Sequence, residues 1–265
     1  MTARSVGRAR VEGIGFWGEG RPGWPSISGD AGIDATSTSH GRPVASVLGP
    51  TERRRAPDSV ALAIDVAAQA CRAAGRDPAD LRSVFSSMHG DLGITDYLCS
   101  TLARDPTGLS PTRFHNSVHN AAAGYWTIGT GCHEPYTAIA AGEWTAGEGL
   151  LEALAQLACE QRPVLYVAYD IEARGALVAV SPSHGLLGFS MVLGPAEGAS
   201  QGRLIEWNVV TGRAPTPIRT EVGVALAGNA MSPVIPLVEA LADPVARSVC
   251  LGLTATLGLE LRLLD

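Results

Sequence analysis

The chain has 265 residues, a formal net charge of −6, and 46% hydrophobic against 17% charged residues. The charged fraction lies well below the roughly 25% of an average globular protein, which excludes a disordered acidic tail. The chain has 20 basic and 26 acidic residues, a balance that gives no extended footprint for phosphate groups, so we expect no nucleic-acid partner.

Gly, Pro or polar residues interrupt every apolar stretch before it reaches the roughly 20 residues of a membrane-spanning helix. The opening segment MTARSVGRARVEG lacks the apolar centre of a secretory signal. We therefore expect a cytoplasmic protein without a membrane partner. The five cysteines are scattered and show no CxxC spacing, which favours reduced thiols over disulfides or a zinc site.

Helices and short apolar strands alternate along the first 170 residues. The predicted elements are strands at 11–16, 83–87, 136–141 and 164–169, and helices from 57–58 through 74, from a Thr95 cap through 102, at 116–129 and at 145–159. Gly75, directly after the first of these helices, is a typical helix end. This alternation predicts a layered α/β fold.

The pattern changes after Asp170. Three successive strands are predicted at 175–180, 188–193 and 203–210, followed by a helix at 233–241 and a final strand pair that runs through Leu263. No linker or internal repeat interrupts the chain, so we expect one compact domain over residues 1–265.

The strand, turn and helix over residues 136–152 have the form of a nucleophile elbow, which presents one side chain between a strand and a helix. The side chain at that tip is Glu143. A carboxylate at a helix N-terminus is stabilised as the anion and is a poor nucleophile. From the local sequence, a helix-initiating acid without a chemical role is the favoured interpretation.

Two groups of histidines are candidates for chemistry. His115 and His119 are four residues apart and share one helix face if their helix begins early enough, so they can bind a metal or relay protons. The pair lacks the glutamate of the zincin motif and a third ligand, which favours structural histidines and no metal site. His89 and Asp91 follow a strand, either as a polar pair at its carboxyl end or as a turn with an Asx cap.

Two further segments are candidates for binding phosphate groups. The glycine-rich stretch 13–23 contains no GxGxxG that opens a helix and is not a dinucleotide fingerprint. The run Arg53, Arg54 and Arg55 can receive the phosphopantetheine of a carrier protein, although a solvated charge run at a helix start is the favoured interpretation.

The segment 110–170 carries a family resemblance. Its motifs SPTRFHNSVHNAAAGYWTIGTGCHEPYTAIAAGEW and VLYVAYD resemble the active-site region of the β-ketoacyl synthases. Those enzymes share a thiolase-like fold, in which an Asn-x-x-Ala-Gly helix, a Gly-x-x-Gly-Pro turn and a strand precede a catalytic cysteine at the elbow. The matching positions are Asn120, Ala123, Gly124, Gly131 and Pro135. Glu134 replaces a glycine, and the register places Glu143 at the cysteine position, while Cys132 lies before the strand.

With ERRRAPDS and HGDLGITDYLC included, the whole chain most resembles the short, chain-length-factor-like proteins of aryl polyene pigment clusters. The resemblance implies an α/β thiolase-like fold with α-β-α-β-α layers, a complete first half (1–170) and a truncated C-terminal half (171–265). It also implies a heterodimer with a full-length β-ketoacyl synthase, whose cysteine performs the condensations and whose acyl tunnel this chain shapes.

Two components of ketosynthase chemistry are missing. Decarboxylative condensation needs a thiolate that holds the acyl chain and histidines that stabilise the enolate oxygen. Glu143 takes the place of the cysteine, and no histidine follows His184. We therefore expect no catalytic residue and no cofactor in this chain. The alternative is a standalone acyl-thioester hydrolase or acyltransferase that uses Glu143 with His89, His115 or His119.

The resemblance also implies binding residues. Those expected to contact or close the partner's acyl tunnel are Thr112, Arg113, Phe114, His115, Asn116, His119 and Asn120. An equally open alternative is that they only pack the interface. The acyl chains are expected to arrive on the 4′-phosphopantetheine of an acyl carrier protein that binds transiently, with Arg53, Arg54 and Arg55 as its contact.

Overall fold

The structure is a computed structural model that describes residues 6–18, 21–22, 42–197 and 201–264. The strands are β1 (Gly7–Gly18), β2 (Arg21–Pro22), β3 (Arg82–Ser86), β4 (Tyr136–Ile139), β5 (Val164–Asp170), β6 (Leu187–Pro195), β7 (Arg203–Thr211), β8 (Ser248–Gly252) and β9 (Leu257–Leu263). The α-helices are α1 (Pro50–Arg55), α2 (Asp58–Ala74), α3 (Leu92–Arg104), α4 (Pro111–His115), α5 (Ala121–Thr130), α6 (Thr145–Glu160), α7 (Glu221–Leu226) and α8 (Ile235–Ala242). Part of the predicted glycine-rich stretch, residues 19, 20 and 23, lies outside the described residues.

All of these strands join one mixed sheet in the order β4-β3-β5-β6-β1-β7-β9-β8, with β2 paired to β1. Strand β3 is parallel to both β4 and β5, and the remaining pairs are antiparallel. We call β4-β3-β5-β6 the first arm and β7-β9-β8 the second arm. The long strand β1 joins them, because it pairs with β6 on one side and, through residues 7–11, with β7 on the other.

Helix α2 covers the outer face of the first arm together with α5. It begins after Pro57 and ends at Gly75, which adopts the left-handed conformation at φ 63°. Small residues allow it to lie close to β1, since a Cβ added to Gly15 would stand 2.2 Å from the carbonyl oxygen of Val66. The largely apolar α2 thus packs closely on the sheet, with Leu62 and Val66 against Gly188 of β6.

Helix α6 lies between the two arms. A Cβ added to Gly147 would stand 2.1 Å from the carbonyl oxygen of Gly252 in β8, and one added to Gly149 would stand 2.7 Å from the Cβ of Ser86 in β3. One turn of the helix therefore contacts both arms. The main core lines this space and includes side chains from α6, α8 and the inward faces of both arms.

The outer face of the second arm carries charges. Arg8 of β1, Glu206 of β7 and Arg262 of β9 lie side by side in register. Glu206 is 2.7 Å from the Arg8 guanidinium and 3.7 Å from that of Arg262, and both arginine side chains are about 60% exposed. This face is solvated in the described part of the chain. In the described residues, the layers there are helix, sheet, helix and sheet.

Most predicted elements are confirmed, and three are wrong. The predicted strand at 175–180 is a 3-10 turn, Ala176–Ala179, because Gly175 has φ 81° and packs against Asp96 of α3. The helix predicted to start at 116 begins at Ala121. Helix α3 is capped by Asp91 rather than by Thr95. No helix in the described ranges is both long and apolar enough to cross a membrane.

Candidate functional site

The predicted elbow is present between β4 and α6. Gly142, at φ 57°, opens a 3-10 turn that ends at Trp144, and α6 follows directly. The Thr145 hydroxyl donates to the carbonyl of Gly142 at 2.6 Å and accepts from the amide of Ala141 at 2.9 Å, which fixes the turn. Glu143 stands exposed at the tip, and its carboxylate has no hydrogen bond or ion pair with a described residue.

The histidines named as its potential partners are engaged elsewhere. His89 Nε2 is 2.7 Å from the hydroxyl of Ser181, and burial lowers the pKa of this imidazole. His119 Nε2 is 2.8 Å from the carbonyl oxygen of Ser87. His115 is exposed and lies edge-on to the ring of Tyr125. Among the described residues, none of these imidazoles is hydrogen-bonded to Glu143.

The pairing of His115 with His119 on one helix face is wrong. Helix α4 ends at His115, and residues 116–120 form turns before α5 starts. The break follows from Asn116, a buried residue whose amide donates to the carbonyl of Arg55 at 3.0 Å and accepts from the hydroxyl of Tyr125 at 3.1 Å. Within the described ranges, no three His, Cys, Asp or Glu side chains are grouped to hold a metal.

Of the two interpretations of the segment 89–91, the structure supports the capped turn. Asp91 Oδ1 accepts from the amide of Ile94 at 3.0 Å and Oδ2 accepts from the hydroxyl of Ser59 at 3.1 Å. Asp91 thereby starts α3 and ties it to the beginning of α2.

Asp170, at the carboxyl end of β5, is a functional candidate that the sequence analysis did not single out. It is buried, and it accepts from the hydroxyl of Ser87 at 2.7 Å and from the amides of Met88 and His89 at 2.8 and 3.2 Å. Burial outweighs these hydrogen bonds and raises its pKa to about 6. Asp170 thus holds the loop after β3, which leads to α3. Its sequence signal is a single acid directly after six apolar residues.

A cleft of about 670 Å³ opens beyond the carboxyl ends of β3 and β5. It brings together two sets of residues that were predicted separately: Arg54 and Arg55 from α1, and Thr112, Arg113 and Asn116 from the segment around α4. The hydrogen bond from Asn116 to the Arg55 carbonyl joins the two sets directly. This cleft is the principal candidate site, and we call it the arginine cleft.

Charged residues of both signs line the arginine cleft. They are Arg42, Arg54, Arg55, Asp58, Asp91, Asp96, Arg113, Glu172 and Arg174. Arg42 pairs with Asp58 at 2.6 Å and Arg174 with Glu172 at 3.5 Å.

Among the described residues, three guanidinium groups at the cleft have no carboxylate partner from the cleft itself. Arg113 lies over the ring of Tyr97, 4.0 Å from its centroid. Arg54 contacts the hydroxyl of Thr51, at 3.4 Å, and Arg55 is 3.7 Å from Glu52 of its own helix. These groups can receive an anion such as a phosphate. Arg53 points elsewhere and donates to the carbonyl of Leu48 at 2.8 Å.

The remaining predicted tunnel residues lie outside the arginine cleft. Phe114 is 63% exposed and His115 is exposed beside it. His119 points towards the end of β3, as described above, and the amide of Asn120 donates to the hydroxyl of Tyr136 in β4 at 2.9 Å. The predicted set therefore divides between the cleft and the edge of the sheet.

That edge is itself unpaired in the described part of the chain. Strand β4 ends the sheet and pairs only with β3. Beside it, α5 buries Ala123 and Trp126 but presents Gly124 and the 70% exposed Ile128 outwards. We call β4 and this side of α5 the edge face. An open strand edge flanked by exposed apolar side chains is a typical protein contact surface.

Comparison with known families gives one match. The model of the beta-ketoacyl synthase N-terminal domain matches residues 29–182. No curated protein matches this chain by sequence.

Several solved structures share the fold. A ketosynthase (ApeO) in complex with its chain length factor (ApeC) from Xenorhabdus doucetiae matches with a TM-score of 0.68 at 17% identity, over 97% of this chain and 97% of that one. The ishigamide ketosynthase/chain length factor matches with a TM-score of 0.68 at 15% identity, over 98% of this chain and 100% of the other.

A beta-ketoacyl synthase from Burkholderia phymatum STM815 matches with a TM-score of 0.59 at 11% identity, over 84% of this chain but 69% of the synthase. At these identities the likeness concerns the fold, and it confirms the predicted thiolase-like α/β class.

Proposed function

The chain belongs to the β-ketoacyl synthase family, and from that premise we propose that it is a non-catalytic, chain-length-factor-like subunit. It pairs with a full-length β-ketoacyl-ACP synthase and shapes that enzyme's acyl tunnel during the synthesis of an aryl polyene-type chain. The observation that carries the proposal is Glu143, which the resemblance places at the position of the family's cysteine and which stands exposed without a histidine partner in the described structure.

The chemistry of condensation supports this role. The acyl chain must be held as a thioester, and a carboxylate at a helix N-terminus is too weak a nucleophile to hold it. Burial and hydrogen bonds direct His89 and His119 towards Ser181 and Ser87, so neither is free to act as a base for Glu143. The partner subunit must therefore supply the cysteine and the histidines.

The edge face supports a heterodimer. In the described structure strand β4 offers unpaired backbone groups, and Gly124 of α5, where an added Cβ meets nothing within 4 Å, allows another backbone to approach closely. Two similar structures are ketosynthases together with chain length factors, which is the kind of assembly proposed here. Asn120, hydrogen-bonded to Tyr136, stands at this edge, where it would pack against the partner.

The arginine cleft supports transient contact with an acyl carrier protein. Such a protein presents a phosphodiester on its phosphopantetheine arm, and Arg54, Arg55 and Arg113 offer guanidinium groups to it. A ketosynthase bound to an acyl carrier protein is also among the structures with this fold. In this proposal Thr112, Arg113 and Asn116 connect carrier binding to the tunnel, and the exposed Phe114 reaches towards the partner.

Co-expression tests the proposal. We expect the chain and a full-length ketosynthase from the same gene cluster to elute as one heterodimer in size-exclusion chromatography with light scattering. Replacing Phe114 with Ala should lengthen the polyene products, as measured by mass spectrometry, whereas Phe114→Trp should shorten them. A chain that stays monomeric and leaves the ketosynthase products unchanged would contradict the proposal.

A further inference from the structure

Beside β4 lies a second, smaller cleft that points to how this chain chooses its partner. We propose that its unpaired glutamates oppose pairing with a second copy of the chain and select a partner subunit that presents arginine or lysine there. The inference rests on the proposed heterodimer and adds a mechanism of selection to it.

The cleft has a volume of about 410 Å³ and lies between β4 and α6. Its apolar lining includes Ile139 at the end of β4, Leu151 of α6 and Leu253 after β8. Among the described residues, the charged side chains in its lining are Glu148 and Glu152, both on α6. We call it the acidic cleft.

Glu152 is held in place next to β4. The Gln156 amide donates to Glu152 Oε1 at 2.8 Å and to the hydroxyl of Thr137 in β4 at 3.1 Å. A single side chain thus joins the carboxylate to the strand at the edge of the sheet, so the acidic cleft is continuous with the edge face.

The glutamates of this region differ in their pairing. Glu134, just before β4, is 2.7 Å from Arg162, and Glu160, at the end of α6, pairs with Arg82. Glu143, Glu148 and Glu152 form no ion pair with any described residue. Among the described residues, the two glutamates that line the cleft therefore lack the arginine partners that Glu134 and Glu160 have.

Because of symmetry, the unpaired glutamates disfavour a homodimer relative to a complex with a different subunit. A two-fold contact of one chain with its own copy places the same patch of both molecules at one interface. Self-pairing through β4 would bring two acidic clefts together as water is excluded, and like charges in such a contact are costly. A subunit with cations at the corresponding place removes that cost and supplies the absent counter-charges. Charge complementarity therefore identifies the occupant as a non-identical, locally basic subunit.

The test compares two double variants of the full chain. Glu148→Gln/Glu152→Gln removes the two cleft charges and keeps side-chain size. Glu197→Gln/Glu221→Gln removes the same charge from exposed positions outside the cleft and is the matched control. Far-ultraviolet circular dichroism and thermal melting check that each variant folds.

Sedimentation velocity on the chain alone measures self-association. We expect the wild type and the control to remain monomeric and the cleft variant to dimerise at least about tenfold more tightly than either. A wild-type chain that forms a stable homodimer through β4, or a cleft variant no more prone to dimerise than the control, would overturn the inference.

The salt dependence of binding to the ketosynthase measures the attraction between the acidic cleft and the partner's basic residues. We expect the wild-type complex to weaken about tenfold between about 0.05 and 0.5 M salt, and the cleft variant to lose most of that dependence. If the wild type binds no ketosynthase, the proposed function fails, whereas the self-association result still decides the charge effect. If the ketosynthase binds wild type and cleft variant with equal affinity and equal salt dependence, partner selection by the acidic cleft is wrong.

Discussion

The two arms of the sheet differ in how they are covered. The first arm is covered by α2 and α5 on one side and by α6 on the other, and every residue of β3 and β5 is buried. The second arm contacts α6 and α8 with its inner face and carries Glu206 and the exposed Arg262 on its outer face, next to the exposed Arg8 of β1. The elbow, the arginine cleft and the edge face all adjoin the first arm.

The difference indicates that the two arms have different roles in this fold. The apolar surface of α6 must be buried against other elements. The first arm buries part of it, and the second arm buries the rest. An antiparallel sheet tolerates water on one face, so the outer face of the second arm can remain uncovered by a helix of the described residues. The second arm thus covers α6, while the elbow, the arginine cleft and the edge face lie on the first arm.

The largest expected loss of stability comes from a substitution that disturbs the packing of α6 between the two arms. Replacing Gly147 with Ala places a methyl group against the Gly252 carbonyl, with no flexible side chain to move aside. We expect a loss of about 3 kcal/mol or more in the free energy of unfolding, measured with urea. The matched control is Gly124→Ala in α5, where the added Cβ meets open space and the change should stabilise the helix by up to about 1 kcal/mol. Equal effects at the two glycines would refute the tight fit of α6 between the arms.

A smaller effect, dependent on pH, is expected at Asp170 in the first arm. Its folded-state pKa of about 6 lies above the ordinary value of 3.8, so the folded state holds the proton over a pH range in which the unfolded state has lost it. Its contribution to stability is therefore present below about pH 4 and is lost as pH rises through 6, a change on the order of 2 kcal/mol.

Chemical denaturation of the wild type and Asp170→Asn between pH 4 and 7 measures this contribution. The unfolding free energy of the wild type minus that of Asp170→Asn should fall as pH rises over that interval, because only the wild type loses a proton there. A difference that grows with pH would mean that the buried carboxylate is favoured in its ionised form.

The smallest effect is expected on the solvated face of the second arm. Replacing Glu206 with Gln should cost less than about 1 kcal/mol, because its arginine partners are largely exposed. Glu12 of β1 is 3% exposed and binds Arg76 through both carboxylate oxygens, at 2.7 and 2.9 Å, so Glu12→Gln should cost about 2 kcal/mol. Thermal unfolding of both variants at two salt concentrations checks this order, and a larger loss at Glu206 would reverse it.

The sequence predicted elements well where local signals agreed. Helix α2 has an apolar face, an acid in its first turn and Gly75 at its end, and its bounds were predicted almost to the residue. The apolar run 176–180 misled the prediction, since Gly175 turns the chain and Asp96 of α3 fixes it from another part of the sequence. The break before α5 has the same origin, because the contacts of Asn116 with Arg55 and Tyr125 are tertiary.

In the candidate site too, features set by the local sequence were predicted and features set by tertiary contacts were not. The elbow and Glu143 follow from local order along the chain, and both were predicted. The arginine cleft depends on α1 lying beside α4, which periodicity and spacing do not report. Asp170 was missed for a related reason, because its role depends on three hydrogen-bond donors from residues 87–89, which only the fold brings next to it.

The most direct measurement is the condensation rate of the reconstituted heterodimer with carrier-bound substrates when Glu143 is changed to Gln. A subunit that contributes surfaces rather than chemistry predicts a rate within about twofold of wild type, while replacing the partner's cysteine with Ala abolishes turnover. Loss of turnover in the Glu143→Gln complex, with the heterodimer intact by light scattering, would show that Glu143 takes part in the reaction and would contradict the non-catalytic role.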